Sequence, residues 1–424
     1  MNQLKREELQ KGIYFNSISD ERFKTNRLSL YLVTPMSEQT VAVNALIPNL
    51  LRKGYEEYPD FTSFNRYLNE LYGAYADGNI DKVGDNQLVS LSVTAIDDRF
   101  TLEQEKMTKE IAHILGSMLL KPVWKDGQFI PSEVELEKNI LIDEIRSLIN
   151  DKRSYAVSTA IKLMCQNEPY GIGKHGTIQQ VQQITPQMLT TAYQNLLKQA
   201  HIEIMFVGCG DAEIAKQELR NSFSKLERTY QPISISATHE ILQQTLSKTD
   251  YMDVTQSKMV LGFGTGINSE SEQVSAMRLM TAVFGGTPTS KLFLNVREKL
   301  SLCYYCAARF DRMKGIITVD CGVEEKNIEQ AKQEIINQLE QIKQGNITDE
   351  EIQNAVLSLE NSYQTVNDSN AAVSGFYLGE ILANTIRTPE QEAALIKSVT
   401  KEQIIKAANM LHLDIVYLLT GEEK

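Results

Sequence analysis

ITPQMLTTAYQNLLKQAHIEIMFVG, residues 184–208, decides the fold. Thr185 is a helix start signal, because a threonine side chain can accept from the unpaired amides of a first helical turn. A helical apolar pattern follows, and then a short strand that ends in Gly208. VTKEQIIKAANMLHLDIVYLLTG, residues 399–421, repeats the pattern, with Thr400 in the matching place, 215 residues after Thr185. That offset is half the chain. A second pair has nearly the same offset: SEVELEKNILIDEI from Ser132 and TDEEIQNAVLSLEN from Thr348 both open on acidic residues, which suit a helix N-terminus, and continue with helical apolar spacing. Together the two pairs imply a duplication.

The intervening run KLERTYQPISISATHEILQQTLSKT, residues 225–249, is polar, holds Pro232 and scattered β-branched residues, and reads as a connector followed by a strand. The expected domains are therefore 1–230 and 231–424. Each mixes strands (RLSLYLVTP, QLVSLSVTAI, IEIMFVG, KMVLGFGT, GIITVDCGV) with long helices, so the expected class is α+β, with helices packed on mostly antiparallel sheets.

The chain has 424 residues, 42% hydrophobic and 23% charged, a globular composition long enough for two cores. A formal charge of −12 with interspersed signs leaves no basic face for nucleic acid or anionic lipid. No apolar run approaches bilayer length, and MNQLKREELQKG lacks the apolar core of a signal peptide, so a cytoplasmic location is expected. Five cysteines, an odd number, suggest reduced thiols. Cys303 and Cys306 form a Cys-x-x-Cys, but within a strand-like run, where buried small side chains explain them better than a redox or zinc site.

Lys258–Gly266, KMVLGFGTG, precedes Ala276–Phe310, AMRLMTAVFGGTPTSKLFLNVREKLSLCYYCAARF. This closely resembles the second domain of pitrilysin/insulinase metallopeptidases. There a Gly-rich turn, here Gly285-Gly286, leads to a Ser-x-Leu-Phe helix, here Ser290, Leu292 and Phe293. An Arg-Glu-Lys segment, Arg297 to Lys299, then precedes a tyrosine, Tyr304. The N-terminal half is similar to the family's first domain, through ALIPNLLRKG, the helix FTSFNRYLNELYGAYADG, the strand NQLVSLSVTAI and the long helix ELEKNILIDEIRSLINDKRSY. The resemblance implies two duplicated α/β-roll domains, in a family that often works as clam-like pairs enclosing a chamber for unfolded peptides.

Active family members carry His-x-x-Glu-His on the first helix, where residues three and four apart share a face and gather two imidazoles on one zinc ion, with the glutamate as general base. Aligned on Lys53-Gly54, those five positions are Ala45, Leu46, Ile47, Pro48 and Asn49. Both histidines and the base are absent. Glu144 matches the family's third ligand, but one carboxylate does not hold zinc. Pro48 inside a helix costs about 3 kcal/mol and should kink the backbone. His113, His175, His201, His239 and His412 show no metal-ligand spacing and read as surface or core residues. No metal, no cofactor and no peptidase activity are expected.

The resemblance makes Arg297 and Tyr304 substrate-binding candidates, a planar cationic donor and a hydroxyl that active relatives direct at bound peptide. An ion pair and a core ring would account for them equally. Gly285 and Gly286 are candidates on the same footing, able to admit an extended peptide backbone or merely to end a helix. The implied partner is an active, zinc-bearing homologue in a heterodimer, or a second copy in a homodimer, around a peptide substrate. Within the family the nearest likeness is to bacterial members associated with aminopentanol modification of elongation factor P, for which these residues show no chemistry. Three alternatives remain: a zinc metalloendopeptidase, a structural subunit of a larger complex, and a dinucleotide-binding enzyme. The last rests on Gly208-Cys209-Gly210 between a strand and a helix, a fingerprint that lacks its third glycine.

Overall fold

A computed structural model of the protein describes residues 3–230, 232–235 and 237–421. The chain forms two compact units. The first comprises Met1–Arg146, Ile172–Ser234 and Asn367–Gly379; the second comprises Ser147–Gly171, Ile235–Val366 and Glu380–Lys424. Neither is continuous in sequence. A single cut at residue 230 follows the crossing after Ser234 but misses this exchange, in which 147–171 belongs to the second unit and 367–379 to the first.

In the first unit the strands are β1 (Lys5–Gln10), β2 (Ile13–Ser19), β3 (Thr25–Pro35), β4 (Tyr75–Val83) and β5 (Asn86–Ile96), a small hairpin of β6 (Trp124–Lys125) and β7 (Gln128–Phe129), and β8 (His201–Gly208). Its six-stranded sheet runs β1-β2-β8-β3-β5-β4, parallel only between β2 and β8. β8 is buried at every position, as a strand covered on both faces must be. β4 is polar, much of it accessible, and forms one edge of the sheet, with β1 at the other. Helices α1 (Val41–Leu51), α2 (Phe61–Glu70), α3 (Met107–Leu120) and α4 (Pro131–Ser147) follow. Next come α5 (Lys152–Met164), which belongs to the second unit, then α6 (Ile178–Gln182), α7 (Pro186–Gln199) and α8 (Ala212–Phe223). Leu28, Leu30 and Leu32 of β3 enter one core with Leu46 of α1, Ile111 and Leu115 of α3, and Leu219 of α8.

The second unit repeats the design. Its strands are β9 (Leu246–Tyr251), β10 (Ser257–Gly264), β11 (Cys303–Asp311), β12 (Ile316–Val323) and β13 (His412–Thr420). They are ordered β11-β12-β10-β13-β9, parallel only between β13 and β9. Laid on the first sheet without β1, the order and the single parallel pair coincide. The expected α+β class with duplicated, mostly antiparallel sheets is what the chain adopts. The helices are α9 (Val274–Thr281), α10 (Ile328–Lys343), α11 (Asp349–Thr365), α12 (Asn370–Leu382), α13 (Pro389–Lys397) and α14 (Lys401–Asn409). Alternation along β10 sends Met259, Leu261 and Phe263 into one core with α9, α10 and α14, while Val260 meets Ala156, Ala160 and Met164 of α5 on the opposite face. Most of α12, in turn, belongs to the first unit, where Ser374 meets the Tyr31 hydroxyl and Asn370 donates to Thr25.

Both repeat signals begin helices as read. Thr185 accepts from the Met188 amide, while Thr400 and Thr348 each form a reciprocal capping box. Two helices differ from the reading. The segment 61–78 stops being helical after Glu70, because Tyr72 and Gly73 adopt left-handed φ values of 57° and 72°, and its tail becomes edge strand β4. The long helix expected over 135–155 is two: Asp151 accepts from the Arg153 and Ser154 amides and so starts α5 afresh. Among the described residues no helix is long and apolar enough to cross a membrane.

Candidate functional site

α1 is apolar almost throughout and buried from Val41 to Pro48. The helix continues through Pro48 to Leu51, with the Arg52 amide bonded to the Pro48 carbonyl at 3.1 Å. Its C-terminus is tied to α4 by Lys53, whose ammonium lies 2.6 Å from Glu133 and 2.7 Å from the buried Glu137. Burial alone would lower the Lys53 pKa, but these two carboxylates outweigh it and raise it. The clasp brings Ala45 and Asn49 of α1 to face Glu144 of α4 across a cleft of about 280 Å3, closed by Pro48, Asp77, Gly78 and His175. The three positions where the family resemblance places zinc ligands therefore do converge.

Zinc does not fit what stands there. Ala45 offers a methyl group, Asn49 a neutral amide and Pro48 no base, which leaves Glu144 as the one ligand retained from that set. Asp77 and His175 line the same cleft, but Asp77 pairs with Arg52 at 3.7 Å. Among the described residues, no set of three donors that includes them comes close enough to share an ion. Burial, reinforced by the neighbouring Lys174 and partly offset by Asp81, lowers the His175 pKa to about 4. Gly78 lets β4 run against α1: a Cβ there would sit 2.5 Å from the Pro48 carbonyl oxygen. Sequence reading missed Asp77, Gly78 and His175, since none shares a spacing or motif with α1.

In the second unit Arg297 and Tyr304 border one cleft of about 360 Å3, with Glu298, Ser301 and Glu324. Arg297 is half-exposed, its guanidinium 4.5 Å from the Phe293 ring centre and 3.6 Å from the Glu298 carboxylate. Tyr304 is 71% exposed, which rules out the reading of its ring as core filler. The β11–β12 register shifts between Cys303 and Tyr305, and this bulge frees Tyr304 from the ladder and turns it outward. Gly285 and Gly286 lie outside this lining. Gly285 is buried where a Cβ would meet Leu292 and the Ala308 backbone, both under 3 Å, so close packing accounts for it. Gly286 is exposed at the end of the π-helical turn Ala282–Gly286. Cys303 and Cys306 are buried free thiols of β11.

The dinucleotide alternative fails on hydrogen bonding. The Cys209 and Gly210 amides, which would have to cradle a pyrophosphate, donate to the Asn26 side-chain oxygen at 3.0 and 2.9 Å. Asn26 is itself buried and held by Asp97 and Thr108. The turn is a structural strand-to-helix connection.

Residues 183–359 match the family model of the Peptidase M16 inactive domain. A protein of Bacillus subtilis (strain 168) named probable inactive metalloprotease YmfF is 30% identical over 412 residues, 97% of this chain and 96% of that one. The crystal structure of a conserved protein from Enterococcus faecalis V583 matches at a TM-score of 0.91 with 28% identity, over 100% of both chains. That of a peptidase M16 inactive domain from Pseudomonas fluorescens matches at 0.79 with 17% identity, over 99% and 98% of the two chains, a likeness of fold. Fold and site together define a metallopeptidase homologue without its metal donors. The chain belongs to the M16 family, the pitrilysin/insulinase metallopeptidases, as a non-catalytic member.

Proposed function

We propose that this protein is the non-catalytic half of a peptide-handling pair, joined to a homologue that carries His-x-x-Glu-His. The observation that carries the reading is the Arg297–Tyr304 cleft, open to solvent in a chain whose own α1 cleft has lost its zinc donors. A cationic donor and an outward hydroxyl suit a peptide carbonyl, and they serve chemistry only if a partner supplies the metal. β4 supports the same reading: it is a terminal strand of its sheet, and although the Ile80 carbonyl already accepts from Lys174 at 2.8 Å, a terminal strand can add an extended peptide through main-chain hydrogen bonds.

The test is recovery of the tagged chain from its native host, followed by cleavage of an unstructured peptide by the reconstituted pair. A similarly sized homologue bearing the zinc motif should copurify. Chelator-sensitive cleavage should then fall at least about ten-fold with Arg297→Ala or Tyr304→Phe, the effect of losing one preorganised donor. Recovery of the chain alone, as a homodimer, or with a partner that is no peptidase would sink the proposal. So would cleavage indifferent to both substitutions.

A further inference from the structure

Away from both clefts, the second unit gathers Cys165, Glu168 and His239 so that one donor atom of each lies within 4.8 Å of the others. Cys165 and Glu168 come from the turn after α5, closed by a bond from the Glu168 amide to the Cys165 carbonyl at 3.0 Å. His239 comes from the segment before β9 and is positioned by its own amide, 2.9 Å from the Lys314 carbonyl. Its side chain is wholly buried. On one side of the ring, Nε2 lies 2.9 Å from Asp414, whose other oxygen is held by His412 at 2.7 Å. On the other side, Nδ1 faces Glu168 Oε1 at 2.5 Å and Cys165 Sγ at 3.7 Å. The remaining Glu168 oxygen is held by the buried Lys314 ammonium at 2.5 Å.

We propose that Cys165, Glu168 and His239 bind a single zinc ion that clasps the turn after α5 to the segment before β9. Thiolate, imidazole and carboxylate form a zinc-type donor set. Two ligands on a tetrahedral zinc, at ordinary Zn–N and Zn–S lengths, stand about 3.6 Å apart, close to the Nδ1 to Sγ separation seen here. Glu168 need retreat from Nδ1 by somewhat less than about 1 Å to reach its own place. The outer layer is built as such sites require. Asp414 on Nε2 fixes the ring and leaves Nδ1 as donor, while Lys314 on Oε2 leaves Oε1. Water completes the fourth position. Uptake displaces two protons to solvent, the thiol proton of Cys165 and the Nδ1 proton that His239 shares with Glu168 while Asp414 holds Nε2.

The experiment strips the full chain with chelator and titrates it with Co2+, then with Zn2+. One equivalent of cobalt should give a thiolate charge-transfer band that zinc abolishes, and zinc should raise the melting temperature saturably. Cys165→Ser should remove the band, whereas Cys306→Ser and Glu144→Gln should keep it. Asp414→Asn should weaken cobalt affinity roughly 10- to 100-fold with the band retained, the signature of an outer-layer positioning residue. A natively folded chain that shows no band, or one whose band survives Cys165→Ser, overturns the proposal. Should Cys165→Ser fail to fold, Glu168→Gln takes its place, and undiminished cobalt affinity there overturns it equally.

Discussion

His175 should make the α1 cleft sensitive to pH. Its ring shares the cleft with Arg52, Asp77 and Glu144 and feels the charges of Lys174 and Asp81, and partial burial lowers its pKa from the ordinary histidine value of 6.5 to about 4. The unfolded chain therefore binds a proton more readily than the folded one between those two values. The resulting stabilisation is complete above about pH 6.5 and is lost as pH falls toward 4. Urea unfolding midpoints of the wild type should drop through this window faster than those of His175→Gln; parallel profiles would refute the assignment. Ala45, Pro48 and Asn49 were legible in the sequence because a helical metal motif is local, and its absence is equally local. His175 and Gly78 were not, because strand pairing and chain return bring them to α1 from far along the chain. His239 shows the same limit more sharply: its neighbours Cys165 and Asp414 are 74 and 175 residues away, so that no spacing rule joins them.

The position of α1 against α4 depends on Lys53, which bridges Glu133 and Glu137 while only 22% of its side chain is exposed. Replacement by methionine keeps the aliphatic stem but leaves Glu137, 2% exposed, without its cation. Removing one partner of a buried ion pair costs about 3 kcal/mol or more. Because Lys53 retains some solvent contact, the lower end of that range is expected, measured by chemical denaturation. A loss under about 0.5 kcal/mol would mean that α1 is held by its apolar face alone. Among the strands, legibility followed burial. β3, β5, β8, β10 and β12 lie inside their sheets and carry the apolar runs that identify a strand. β4 lies at an edge, its sequence YADGNIDKV is polar, and it was absorbed into the preceding helix. The break between α4 and α5 escaped notice because no proline or glycine marks it; one aspartate cap does.

For the whole molecule, the duplication was readable while the exchange built into it was not. A repeat shows in sequence as an offset, but nothing in either copy states which sheet a helix will cover. Ala156, Ala160 and Met164 of α5 look like any small-residue helix face, yet they pack with Val260, Ile316, Ile415, Tyr417 and Leu419, all beyond residue 230. Most of α12, from the far half of the sequence, is conversely part of the first unit. A fragment of residues 1–230 would therefore expose the α5 face to water and leave the first unit without 367–379. Exposed apolar surface of this kind favours aggregation and dye binding over cooperative folding. Expressed alone, the fragment should bind a hydrophobic dye and melt without a sharp transition, whereas coexpression with 231–424 should restore a soluble complex with one cooperative transition. If the isolated fragment instead unfolded cooperatively at the midpoint of the intact chain, the exchanged helices would be dispensable and each half would be a self-sufficient domain.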